Sequence, residues 1–133
     1  MQAWRSRRKA FAIVVVAFSA GAVISTGNAE AGSQCGKASW YKMGTRTANG
    51  ERMNSNVLAA AHRSLPFGTK VLVENLGNHR TVVVRVNDRG PFVRGRVIDL
   101  TKAAADRIGL VATGIASVRL TVVGHPGSLG GGC

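Results

Sequence analysis

The chain has 133 residues, with 18 Lys and Arg against 6 Asp and Glu, a formal charge of +12, and only 5% aromatic residues. That length leaves room for one compact domain and excludes a second once any leader is removed. The charge suits a polyanionic partner, but so few aromatics argue against stacking on nucleic acid, and no nucleic-acid partner is expected.

At the start of the chain, Arg5, Arg7, Arg8 and Lys9 precede an apolar run from Phe11 to Ile24 and then Ala29-Glu30-Ala31, the pattern of a secretory signal cleaved after Ala31. The run falls short of the roughly 20 apolar residues of a spanning helix, and Ser19 and Gly21 interrupt it, so no stable membrane anchor is expected. Cys35 follows Gly32-Ser33-Gln34 rather than an apolar residue and two small ones, which argues against a lipoprotein. The expected organisation is a signal over 1–31 and one domain over 32–133, periplasmic or secreted. Loss of Arg5, Arg7, Arg8, Lys9 and Glu30 leaves a charge of +9, suited to cell-wall carboxylates, phosphate-bearing wall polymers or anionic lipid.

Cys35 and Cys133 bracket the exported domain. An even cysteine count in a small exported domain points to a disulfide between them; the alternative is two idle thiols on frayed tails. A first strand is predicted over Gly36–Tyr41, then a polar loop from Met43 to Asn56. Val57–His62 fits either a strand or one helical turn, and Leu65-Pro66-Phe67-Gly68 turns the chain. Thr69–Glu74 and Thr81–Asn87, rich in valine and joined by Leu76-Gly77-Asn78-His79, form a predicted hairpin. After Gly90-Pro91, a short strand over Arg96–Leu100 leads to Thr101, which caps a helix over Lys102–Ile108 ended by Gly109. Ser117–Val123 is the last predicted strand. Several short strands with one helix imply a small barrel closed on itself, since closure removes exposed edges.

In Val82–Leu100 a strand of branched apolar residues runs into a turn carrying Asp88. A period of two places Val84, Val86 and Asp88 on one face and Arg85, Asn87 and Arg89 on the other. An acid at the rim of an apolar floor loses hydration and is suited to deliver a proton near neutral pH. Asp99 lies beyond the Gly-Pro turn. Two acids so disposed suggest carbohydrate chemistry, in which a leaving oxygen must be protonated. His79 and His125 fit no metal-ligand spacing, so neither a metal nor another cofactor is expected.

Ala38-Ser39-Trp40-Tyr41, Thr47-Ala48-Asn49-Gly50-Glu51, Ala60-Ala61-His62-Arg63-Ser64-Leu65-Pro66-Phe67-Gly68-Thr69, Asn87-Asp88-Arg89-Gly90-Pro91-Phe92 and Ile98-Asp99-Leu100-Thr101 together resemble the RlpA family of lytic transglycosylases. The resemblance runs from about Gly36 to Val123. It implies a mainly β fold, a six-stranded double-psi β-barrel with one or two short helices, with a sugar-binding groove across one face. It also implies non-hydrolytic cleavage between N-acetylmuramic acid and N-acetylglucosamine, leaving a 1,6-anhydro end. Matched residue by residue, Asp88 is the acid/base candidate, Glu51 and His62 are its partners, and Asp99 is the rival acid.

Trp40 and Tyr41 offer apolar surface to sugar rings, one of the two being expected in the core. Asn49, Asn87, Arg63 and Arg89 complete the expected substrate-binding set, with arginines suited to gripping carboxylates in pairs of hydrogen bonds. The expected partner is the peptidoglycan glycan strand, bound by a monomer, with other cell-wall or division proteins as further partners. Two departures from the best-known family members are expected: no lipidation cysteine at the cleavage site and no C-terminal SPOR domain. The alternative function is an expansin-like wall protein that grips glycan without breaking it.

Overall fold

The computed structural model describes residues 32–41, 46–123, 129, 132 and 133; the expected signal over 1–31 lies outside them, as do the first residues of the polar loop. Six strands, β1 (Ser33–Trp40), β2 (Ala59–Ala61), β3 (Lys70–Asn75), β4 (Thr81–Asp88), β5 (Arg96–Leu100) and β6 (Ala116–Val123), close into a barrel in the order β1-β5-β2-β4-β3-β6. The pairs β1/β5 and β2/β4 are parallel and the other four antiparallel. Parallel neighbours require crossover connections. Those connections carry the loops 46–58 and 62–69 and the turn 89–95 that surround the candidate site.

The valine-rich hairpin forms as expected, Val71 pairing with Val84 and Val73 with Val82. Its alternation sends Val71, Val73, Val82, Val84 and Val86 inward, where they meet Ile98, Leu100, Val118 and Leu120. Full burial of each such side chain contributes about 1.5–3 kcal/mol. Val57–His62 resolves as a strand of three alanines, β2. All three are buried, with β4 on one side and β5 on the other.

Thr101 caps α1 (Lys102–Arg107): its Oγ1 accepts from Ala104 N and also donates to Val57 O, tying the helix start to the chain entering β2. Gly109 ends α1 as expected, directly after its C-cap Ile108. With φ of 77° it resets the chain direction, and a second short helix, α2 (Leu110–Thr113), comes directly after it. Ala104, Ala105, Ile108 and Leu110 bury the helical face against the barrel. Cys35 and Cys133 form a disulfide across a sequence separation of 98, as expected.

One expectation is corrected at β4. Ala59 pairs with Arg85 and Ala60 with Val86, but Ala61 pairs with Asp88, so the register slips and Asn87 is the extra residue. A slip of one residue reverses the face of every residue beyond it, and Asp88 therefore does not share the face of Val84 and Val86. Asn87 keeps the face expected for it, meeting Glu51 together with Arg85, but is buried there.

Candidate active site

Ala61 is the register partner of Asp88 on β4 and of Asp99 on β5, so the two acids lie on strands separated only by β2. The loop 46–51 packs against the end of β4. It contains a turn closed by Gly50 N donating to Thr47 O, with Gly50 at φ 93°, where a side chain would be strained. Asn49 holds it together: its Oδ1 accepts from Thr47 Oγ1 at 2.6 Å and Glu51 N at 3.0 Å, and its Nδ2 donates to Glu51 Oε2 at 2.8 Å.

Glu51 is fixed by a fork. Arg85 donates from Nη1 to Oε2 at 2.8 Å and from Nη2 to Oε1 at 2.9 Å, and Asn87 Nδ2 donates to Oε1 at 3.1 Å. These hydrogen bonds, that from Arg85 first, hold the carboxyl down at about 2, so Glu51 is a fixed negative charge at neutral pH. The same contact raises the Arg85 guanidinium. Asn49 and Asn87 are thus committed through their amide nitrogens to Glu51.

Asp88 receives two backbone hydrogen bonds, from Ala48 N at 2.7 Å and Arg89 N at 2.9 Å, both on Oδ1. The first fastens the loop to the acid. Among the described residues neither bond falls on Oδ2, which leaves that oxygen for a proton. Asp99 is held differently: Ser39 Oγ donates to its Oδ1, and Arg96 Nη2 donates to the same oxygen at 2.7 Å. Asp99 is therefore ion-paired inside the sheet, whereas Asp88 is held by backbone amides.

His62 Nδ1 accepts from Ser64 N at 3.1 Å and Leu65 N at 3.2 Å. The ring proton therefore sits on Nε2, which donates to Gln34 Oε1 at 3.0 Å. Burial, then the charges of Arg89 and Arg63, push the imidazole down to about 4, so it is neutral at physiological pH. Its link to Asp88 runs through the backbone, His62 N donating to Asp88 O. The ring's hydrogen bonds organise the 62–65 loop.

The arginines expected at substrate carboxylates are engaged with carbonyls. Arg63 donates from Nε to Pro91 O at 2.7 Å and from Nη2 to Val93 O and Arg96 O. Arg89 donates from Nη1 to His62 O and Leu65 O, its guanidinium 4.0 Å from the Phe67 ring centroid. Each loop thus lends an arginine to brace the other.

Trp40 packs against the core. Tyr41 is half-buried, and its hydroxyl is buried without a hydrogen-bond partner among the described residues. Burial first, then the charges of Asp88 and Asp99, push it up to about 12. Among the described residues no cluster of His, Cys, Asp and Glu suited to a metal ion is found. The sequence reading missed the partners that fix the named residues: Arg85 on Glu51, Gln34 on His62, Ser39 and Arg96 on Asp99. Only Arg85 left a trace, by sharing a strand face with Asn87.

Residues 33–120 match the family described as lytic transglycolase. A probable endolytic peptidoglycan transglycosylase RlpA of Synechocystis sp. is 59% identical over 91 residues, covering 66% of this chain and 28% of the relative. The endolytic peptidoglycan transglycosylase RlpA of Campylobacter jejuni is 54% identical over 99 residues, covering 72% and 36%. The chain thus spans about a third of the length of these relatives. Among solved structures, a Streptomyces papain inhibitor superposes with a TM-score of 0.60 at 22% identity, covering 72% of this chain and 98% of that one. A Clavibacter michiganensis expansin gives 0.56 at 23%, covering 71% and 52%. At those identities the likeness is one of fold.

Proposed function

The chain belongs to the lytic transglycolase family, in its RlpA branch with the double-psi β-barrel, and from that premise we propose that it cleaves peptidoglycan glycan strands endolytically and without water. The observation that carries the reading is the setting of Asp88: a carboxyl held at Oδ1 by Ala48 N and Arg89 N, at the end of β4, beside a fixed Glu51.

In this mechanism Asp88 protonates the glycosidic oxygen as the bond from C1 of N-acetylmuramic acid breaks. The sugar's own C6 oxygen forms a new bond to C1, and its proton passes to the Asp88 carboxylate. The acid is regenerated with no net proton change, so one carboxyl serves both steps and none is needed to activate water. Glu51, ionised and anchored by Arg85, supplies fixed negative charge near the positive charge that develops on the sugar. His62 positions the loop after β2, and Asp99 ties β5 to β1 through Ser39 while it pairs with Arg96. Action outside the cytoplasmic membrane fits the disulfide and the glycan substrate.

The test is mass spectrometry of products released from purified sacculi, intact or stripped of stem peptides, by the protein and by Asp88→Asn. Anhydro-ended products from the wild type alone support the reading. Wall binding without released products supports the expansin-like alternative and overturns it.

A further inference from the structure

The turn after Asp88 presents an aromatic ring that the fold itself does not use. Phe92 is 77% exposed, against 51% for Val93 and 40% for Phe67, and is the most exposed large hydrophobic residue among those described. Such exposure in a mobile loop would carry little meaning. This turn is braced: Arg63 donates to Pro91 O and Val93 O, the carbonyls of the residues on either side of Phe92, and reaches Arg96 O as well. Gly90 lies under the ring, since a Cβ placed there would come within 3.6 Å of Phe92 Cε2, and its φ of 124° also favours glycine.

The neighbouring aromatic makes a useful contrast. Phe67 has the Arg89 guanidinium over its ring at 4.0 Å, and Arg89 is in turn held by His62 O and Leu65 O. One rim phenylalanine is therefore covered by a cation, while the other is held in place with most of its surface in water. Holding an apolar ring still and wet is unfavourable unless something covers it. Its position, four residues beyond Asp88 on the same braced turn, selects what that is: a pyranose ring offers a flat C–H face that an aromatic ring can dehydrate.

We propose that Phe92 is the stacking platform for a sugar ring of the bound glycan strand next to the bond cleaved at Asp88, and so fixes how the strand is placed along the groove. This rests on the glycan-cleaving reading above. The ring touches substrate but moves no proton, so its loss weakens binding and leaves the chemical step largely intact.

The experiment measures both binding and turnover of soluble, peptide-free glycan chains by wild type, Phe92→Ala, Phe92→Trp and Val93→Ala, with thermal midpoints for each. Phe92→Ala is expected to raise both Kd and KM about tenfold, with kcat within about twofold and an unchanged midpoint, in line with the worth of a single aromatic contact. Phe92→Trp is expected to restore binding, and Val93→Ala to leave it as in wild type. Unchanged Kd in Phe92→Ala overturns the proposal, as does equal weakening in Val93→Ala, which would mark a general apolar patch for a protein or lipid surface. If the wild type binds chains without cleaving them, the catalytic reading fails while the Kd series still decides the role of Phe92. If it binds none, both fall.

Discussion

Asp88 and Asp99 are both register partners of Ala61, one from each side of β2. Neighbouring strands are about 4.8 Å apart, which puts the two backbones roughly 10 Å from each other. The same small residue thus separates a carboxyl held by backbone amides from one committed to Arg96 and Ser39. Their substitutions should part accordingly. Asp88→Asn keeps an Oδ1 able to accept from Ala48 N and Arg89 N but has no proton to give. Product release should fall by about 10²–10⁴-fold with the thermal midpoint nearly unchanged. Asp99→Asn leaves Arg96 without its counter-charge and should destabilise by about 1.5–3 kcal/mol. Chemical denaturation of both variants checks this; a destabilised Asp88→Asn with residual turnover would reverse the assignment.

The Glu51 clamp sets an acid limit. Its carboxyl is lowered from 4.5 to about 2 by Arg85, Asn49 and Asn87. The folded value lies below the unfolded one, so the clamp's contribution is fully present above about pH 4.5 and is lost as pH falls through about 2. The pair is partly exposed, so its worth is at most about 1 kcal/mol. The expected signature is local: amides of Ala48 and Asn49 should lose protection from exchange over that window before the barrel unfolds. Glu51→Gln should show the same loss already at neutral pH, with reduced turnover because Ala48 N is released from Asp88.

His62 should be silent where histidines usually titrate. Its ring is lowered from 6.5 to about 4 by burial, then by Arg89 and Arg63. Because the neutral form is the one held in the fold, this group's contribution is complete above about pH 6.5, shrinks as pH falls, and has gone below about 4. The pH-rate profile should therefore carry no inflection from His62 between about pH 5 and 8. Nitrogen NMR should show the proton on Nε2. A ring that titrates near 6.5 in the folded protein would refute the buried geometry.

The fold was legible where one strand's own sequence decides its fate. The valine alternation of β3 and β4 and the short Arg96–Leu100 strand need no knowledge of their neighbours. Asn87 is different: its extra place in β4 exists only relative to Ala60 and Ala61 on another strand, so a period counted along one chain carried Asp88 to the wrong face. Asp88 and Asp99, taken from separate motifs, do lie on strands either side of β2, but Arg63 and Arg89 look free in sequence because carbonyl partners leave no mark in side-chain patterns. The Leu110–Thr113 helix was hidden for a related reason, since a glycine that ends one helix can also cap the next.

The disulfide between Cys35 and Cys133 reaches the site through Gln34. This residue, the partner of His62 Nε2, precedes Cys35, which is tied to Cys133 and donates its backbone N to Gly132 O. Closing a loop of about 100 residues contributes up to about 4.7 kcal/mol in the chain-entropy account. Reduction, or Cys133→Ser with Cys35→Ser, should therefore lower the unfolding free energy by a comparable or smaller amount. It should also loosen the start of β1, where Gln34 pairs with Leu120. The expected site-level consequence is faster exchange of the His62 Nε2 proton in the reduced protein under conditions where it remains folded. Unchanged exchange there would show that β1 pairing with β6 holds Gln34 without help from the bridge, and would confine the disulfide's role to global stability.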